Sequence, residues 1–212
     1  MSDASHTGVA GVVLAAGASR RLGQAKQLLT DEDGRAMVVR VAGQLREAGC
    51  EPVIVITGAA HDGVKEAVSR ALESPDATVV FNAAWPEGMA SSIRCAVDWL
   101  NRHTDAADTD AVLIAACDMP GVTSEHVTLM LSAFRKDGVR IASTYDTQSG
   151  ERVRGIPALF PRADWGALLA LSGDRGARDL LAEPDTSVVV LPTGGFDLDT
   201  PDDVARWRAR TL

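Results

Sequence analysis

The densest grouping of chemistry-bearing residues lies in VVLAAGASRRLGQAKQLL, Val12 to Leu29. An apolar run ends in Gly17, and Ser19, Arg20, Arg21, Gly23 and Lys26 follow closely. Ala18–Leu29 carries three positive charges and no acid, in a chain whose net charge is −8. Glycines let backbone N–H groups approach an anion. Arginine offers a planar fork to phosphate oxygens, and lysine a movable point charge. The set describes a polyphosphate-binding loop. A solvated basic turn would use the same residue types, but the position directly after an apolar run favours the phosphate reading. The loop is neither of two better-known ones: Gln24 follows Gly23 where a Walker A motif needs Lys, and GxGxxG is absent after the run.

A second apolar run, Ala111–Ala116, leads into Cys117-Asp118-Met119-Pro120. A carboxylate there suits Mg²⁺, which takes one or two carboxylates beside substrate phosphates and water. A strand-end Asp also serves as a cap or turn residue, and proximity to a phosphate loop is what favours the metal. Asp197 and Asp199 fall on the same side if their segment is extended, so either could be a second metal carboxylate opposite Asp118. Asp202 reads as a helix-start charge behind Pro201. Cys117 has no conspicuous His partner and reads as a small strand-end residue, not a nucleophile.

Three more segments stand out. Asn82-Ala83-Ala84-Trp85-Pro86-Glu87-Gly88-Met89-Ala90-Ser91-Ser92 enters a helix, with Gly88, Ser91 and Ser92 placed to offer N–H and hydroxyl donors to an anion or a base. A helix cap with Trp85 packed beneath it is the plainer alternative. Gly155-Ile156-Pro157-Ala158-Leu159-Phe160 and Ser172-Gly173-Asp174-Arg175-Gly176-Ala177-Arg178 follow. Arg175 and Arg178 suit an anionic group or a salt-bridged helix start equally well.

In order, these segments resemble the MobA-like nucleotidyltransferase superfamily. The carrying residues are Leu14-x-x-Gly17-x-x-x-Arg21-x-Gly23-x-x-Lys26, the step Asp118-Met119-Pro120, and segments similar to NPxWxEGMxxS, GHPVLF, GDRGAR and DIDTPED. Ala16 makes Leu14–Gly17 more similar to the molybdenum-cofactor cytidylyltransferase branch than to the guanylyltransferase branch. Leu22, Ala25 and Ile156 depart from the family pattern, and Ile156, standing where His is frequent, bears on acceptor choice. The resemblance implies an Mg²⁺-dependent transfer of CMP from CTP to molybdopterin with release of pyrophosphate. Lys26, Arg21 and Asp118 would be catalytic. Leu14, Ala15, Ala16, Gly17, Arg20, Gly23, Gly88, Ser91 and Ser92 would bind the nucleotide, and Asp118 with Asp199 or Asp197 would hold Mg²⁺. A molybdenum hydroxylase receiving the cofactor is an implied partner. The alternatives are transfer from GTP or to another phosphorylated small acceptor, a nicotine-blue-type oxidoreductase on the same fold, and a non-catalytic partner protein.

The elements that must position these residues alternate along the chain. Gly11–Ala16, Val53–Thr57, Val79–Asn82, Ala111–Ala116, Arg140–Thr144 and Val188–Leu191 read as strands, several without polar alternation, as in a parallel sheet buried on both faces. Helical stripes fall between them at Val38/Val41/Leu45/Ala48, Val64/Ala67/Val68/Ala71/Leu72, Ile93/Ala96/Val97/Leu100 and Val127/Met130/Leu131/Phe134. Thr123 or Ser124 is placed to cap the last. The pattern predicts a three-layer α/β/α, Rossmann-like nucleotidyltransferase fold with a mainly parallel sheet. Ligands then belong at the carboxyl ends of the strands.

Composition sets the limits. Of 212 residues, 46% are apolar and 24% charged, enough for a core. The acidic balance argues against nucleic acid and anionic membrane as partners. No apolar run approaches the roughly 18 residues of a membrane-spanning helix, and Met1–Gly8 has no signal-peptide pattern. Three cysteines without CxxC spacing disfavour a disulfide framework and a zinc site. The expectation is a cytoplasmic protein with a flexible N-terminus over residues 1–8 and one MobA-like domain over 9–212. His6, His61, His103 and His126 show no metal spacing and read as surface or cap residues; Trp99 and Trp207 read as packing residues.

Overall fold

The computed structural model describes residues 8–72, 77–104, 108–147 and 150–210; His6 and the start of the expected flexible N-terminus lie outside them. In chain order the elements are β1 (Val9–Ala15), α1 (Met37–Glu47), β2 (Val53–Thr57), α2 (His61–Ala71), β3 (Thr78–Phe81), α3 (Met89–His103), β4 (Ala111–Ala116) and α4 (Ser124–Asp137). There follow β5 (Ile141–Asp146), β6 (Arg152–Pro161), α5 (Trp165–Leu169), α6 (Arg178–Leu181), β7 (Ser187–Val190) and α7 (Pro201–Arg210). The strands form one seven-stranded sheet in the order β3-β2-β1-β4-β6-β5-β7. All neighbours run parallel except at β6, which is antiparallel to both β4 and β5.

Period-two alternation divides the apolar residues between the two faces of the sheet. Val13, Val55 and Leu113 pack beneath Val38, Val41 and Leu45 of α1 and Val127, Met130 and Leu131 of α4. Val12, Ile54 and Ile114 pack on the other face against Ile93, Val97 and Leu100 of α3 and Trp165 and Leu168 of α5. The result is the expected three-layer α/β/α arrangement. β1 and β2 are buried at every position and apolar but for Thr57 at the end of β2, because each is covered on both sides. A third cluster of Leu22, Leu29, Met37, Leu198 and Val204 joins the loop after β1 to α7. No helix among the described residues is long and apolar enough to cross a membrane.

β6 is absent from the strands expected on sequence. It begins Arg-Val-Arg-Gly and contains Pro157, which argues against an interior strand. The register explains the exception: Ala142 pairs Ala158 while Ser143 pairs Gly155, so Ile156 and Pro157 lie in an irregularity of the ladder. A proline there removes no regular ladder bond.

The reading of the histidines needs one correction. His61, at the start of α2, pairs with the Thr57 hydroxyl at 2.7 Å, and His103 is exposed beside Trp99. His126 is buried instead, on the inner face of α4, bonded to Ser143 Oγ at 2.8 Å, and burial holds its pKa below the usual range. Thr123 does cap α4, accepting from the His126 N–H, and Gly138 closes the far end in the left-handed conformation.

Arg140, expected as a strand residue, sits one position before β5 and is 7% exposed. Its guanidinium makes a bidentate pair with Asp164 at 2.8 and 3.1 Å and donates to the Leu180 carbonyl and to Glu183. Removing the cation leaves the mostly buried Asp164 carboxylate unpaired. Arg140→Ala should therefore lower the unfolding free energy by about 3 kcal/mol. Urea denaturation measures this, and an unchanged midpoint would show that the cluster carries no stability.

Candidate active site

β2 and β3 lie on one side of β1, whereas β4 and the strands beyond it lie on the other. The carboxyl ends of β1 and β4 therefore flank a topological switch point, where open α/β sheets form their crevice. The Cys117 N–H donates to the Leu14 carbonyl at 3.1 Å, so the two strand exits stay joined past the end of the sheet.

The loop after β1 turns back on itself. Leu22 and Gly23 donate their N–H groups to the Ser19 carbonyl at 3.1 and 3.0 Å. Gly23 has φ +76°, a conformation suited to glycine, and Ser19 has φ +50°. Lys26 then opens a single 3₁₀ turn, Lys26–Leu28, and its ammonium points at the exit of β4.

Lys26 Nζ forms an ion pair with Asp118 Oδ2 and lies 3.2 Å from Asp199 Oδ1. Arg21 reaches the other oxygen of Asp199 at 2.7 Å. That outer pair is largely in solvent and contributes little energy. Burial alone would lower the Lys26 pKa, but Asp118 and Asp199 outweigh it and hold the ammonium above its ordinary value. Asp197 keeps solvent contact, yet the protein crowding around its carboxyl, reinforced by Asp118 and Asp199, pushes it up to about 7. Two carboxylates thus pair with one half-buried ammonium, and a third, Asp197, is near enough to feel their charge.

The acidic segment is fastened at both ends. Leu198 donates to the Asp118 carbonyl at 3.0 Å and is fully buried. Asp203 accepts from the N–H and the hydroxyl of Thr200 at 2.8 and 2.7 Å, and the Thr200 hydroxyl accepts from the Asp203 N–H at 3.2 Å. This reciprocal cap starts α7. Asp203, more than the Asp202 singled out on sequence, anchors that end.

Two cavities open on either side of Asp118. The first, about 440 Å³, is lined by Leu14, Ala15, Ala16, Gly17, Arg20, Lys26, Gly88, Ser92 and Asp118 among the residues proposed from sequence. The second, about 560 Å³, is lined by Asp118, Asp197, Ile156, Arg175 and Arg178. Arg21 and Asp199 border a smaller recess with Gly17, Arg20 and Lys26. Gly23 lines neither large cavity and serves as a turn. Ser91 turns inward: its hydroxyl donates to the Gly88 carbonyl at 2.8 Å and accepts from Asn82 at 2.9 Å. Arg175 makes an exposed pair with Asp179 at 2.8 Å. Cys117 is buried, and its thiol pKa is raised by burial and Asp118, as expected of an inert residue.

Several cavity residues were missed on sequence. Gln27 is fully buried beneath the loop, and Asp174 faces Gly88, where a Cβ would fall 2.1 Å from Asp174 Oδ1. Trp85 lines the first cavity, and Tyr145 the second. Asp174 lay inside a segment whose arginines drew attention. Gln27 stood directly after Lys26 with no pattern of its own.

Residues 11–188 match the MobA-like NTP transferase domain. Nicotine blue oxidoreductase of Paenarthrobacter nicotinovorans is 31% identical over 97% of this chain and 99% of its own length. Molybdenum cofactor cytidylyltransferase of Escherichia coli is 24% identical over 94% of this chain and 95% of its own. The manganese complex of Rv0371c from Mycobacterium tuberculosis superposes with a TM-score of 0.71 at 26% identity, over 96% of this chain and 99% of that one. The domain match runs from within β1 to the start of β7 and includes the basic loop with Lys26, and Asp118, and the chain belongs to the MobA-like NTP transferase family.

Proposed function

We propose that this nucleotidyltransferase moves CMP from CTP onto a molybdopterin-type phosphorylated acceptor and releases pyrophosphate. The observation that carries the reading is Lys26, held between Asp118 and Asp199, with Asp118 on the wall shared by the two cavities. One cavity would take the nucleotide and the other the acceptor. An acceptor phosphate oxygen would attack the α-phosphorus in line while pyrophosphate leaves, so the protein contributes alignment and charge stabilisation.

Among the described residues no three carboxylates are gathered as a ready metal site, and Asp118 and Asp199 are paired with Lys26 and Arg21. The chemistry still suits Mg²⁺, which takes one or two carboxylates and completes its shell with substrate phosphates and water. The manganese in the mycobacterial relative supports a metal of this class. Bound to Asp118 with Asp199 or Asp197, such an ion would neutralise charge on the phosphoryl oxygens. Lys26, Arg20 and Arg21 would hold the triphosphate. The backbone from Ala15 to Gly17 would read the base, with the small side chain of Ala16 leaving room that favours cytosine. Gly88 and Ser92 would border the nucleoside.

The similarity to nicotine blue oxidoreductase supports a second reading, hydride transfer on the same fold. The loop after β1 lacks the glycine spacing of a dinucleotide site, which argues against it.

Pyrophosphate release is to be measured with Mg²⁺ and each of CTP, GTP, ATP and UTP, with and without molybdopterin. Release should require CTP and molybdopterin together. Release with GTP would change the donor, and oxidation of NAD(P)H coupled to reduction of an added quinonoid dye, with no binding of any of the four nucleoside triphosphates, would replace the reading. Lys26→Ala should cut turnover by roughly a hundredfold or more while the chain still folds, with a lower thermal midpoint because Asp118 and Asp199 lose their shared partner. Wild-type turnover in that variant would remove Lys26 from the reaction.

A further inference from the structure

Gln27 is a fully buried amide whose hydrogen bonds all go to the loop that lines the first cavity. Its Nε2 donates to the carbonyls of Ala15 at 3.0 Å and Gly17 at 2.6 Å. Its Oε1 accepts from the Ser19 hydroxyl at 3.4 Å, and that hydroxyl oxygen in turn accepts from the Lys26 N–H at 3.1 Å. The circuit is closed: Lys26 to Ser19, Ser19 to Gln27, and Gln27 back to the two residues that begin the loop. The Ala16 carbonyl is held separately by the Ala59 N–H at 3.1 Å.

Three successive peptide planes are thereby fixed. In a planar trans peptide the N–H points opposite to the C=O. Holding the carbonyls of Ala15, Ala16 and Gly17 therefore sets the directions of the N–H groups of Ala16, Gly17 and Ala18. These are the backbone donors of a loop suited to polyphosphate. Ser19 is the only described non-glycine residue with positive φ, at +50°. That backbone conformation accompanies a hydroxyl lying between the Lys26 N–H and Gln27.

We infer that Gln27, with Ser19 as its relay, is the positioning residue of the nucleotide loop. It orients the backbone donors for the polyphosphate of a nucleoside triphosphate and fixes the origin of the Lys26 side chain. The inference rests on the nucleotidyl-transfer reading above. It assigns Gln27 no contact with the reacting atoms.

The test compares the wild-type chain, Gln27→Met and Ser19→Gly by calorimetric titration with CTP, GTP, ATP, UTP and inorganic triphosphate, each with thermal unfolding. Gln27→Met keeps the side-chain length and removes every hydrogen bond. Ser19→Gly deletes the relay and relieves the positive φ. Each variant should bind the preferred nucleotide and inorganic triphosphate about tenfold or more weakly, the factor that follows from losing about 1.4 kcal/mol. Ser19→Gly should do so without a lower thermal midpoint, a combination that a purely structural role would not produce. Wild-type binding with equal affinity in Ser19→Gly or Gln27→Met overturns the inference and leaves the transferase reading intact. No binding of any nucleotide by the wild-type chain overturns both.

Discussion

One ammonium group between two carboxylates organises the crevice. Lys26 comes from the loop after β1, Asp118 from the exit of β4, and Asp199 from the segment before α7. Distant stretches of chain therefore meet at a single half-buried charge. Without Lys26, Asp118, Asp197 and Asp199 would repel one another in a partly buried setting, as the raised Asp197 pKa already indicates. The same excess of negative charge is what draws a divalent ion and a phosphate-bearing substrate in the proposed reaction.

The sheet explains why those segments can meet there. β1 and β4 are adjacent and parallel, with Leu14 opposite Ala116, so both chains leave the sheet at the same end. The antiparallel strand β6 extends the sheet beyond β4, and its residues Gly155 and Ile156 form part of the second cavity. The cluster of Leu22, Leu29, Met37, Leu198 and Val204 then ties the basic loop to the acidic segment by apolar burial. Attraction between charges is thus backed by a hydrophobic contact that is insensitive to salt.

Features carried by local pattern were legible in the sequence. β1, β2 and β4 appear as short apolar runs because both faces are covered, and the helical stripes of α1 to α4 fall on residues that pack, except for the exposed Ala71 at the end of α2. Lys26 and Asp118 stood out because they follow apolar runs, at the strand ends where ligands gather in open α/β sheets; Asp197 and Asp199 stood out together, by alternation and resemblance, and were not told apart. Features that depend on tertiary contacts were not legible. β6 was hidden by Pro157, tolerated only because the β5–β6 register shifts there. Gln27, Asp174 and Tyr145 acquire their places only when other segments close over them. His126 and Ser91 looked polar enough for the surface or the site, yet each satisfies its hydrogen bonds inside the packing.

The most direct test of the account is a crystal structure of the chain with Mn²⁺ and a non-hydrolysable cytidine triphosphate analogue. The account predicts phosphates lying along the loop from Ala15 to Lys26 and an anomalous signal at Asp118 and one of Asp197 and Asp199. The Lys26 ammonium should have turned from Asp118 towards a phosphate oxygen. A nucleotide bound elsewhere, with Lys26 still bridging Asp118 and Asp199, would contradict it.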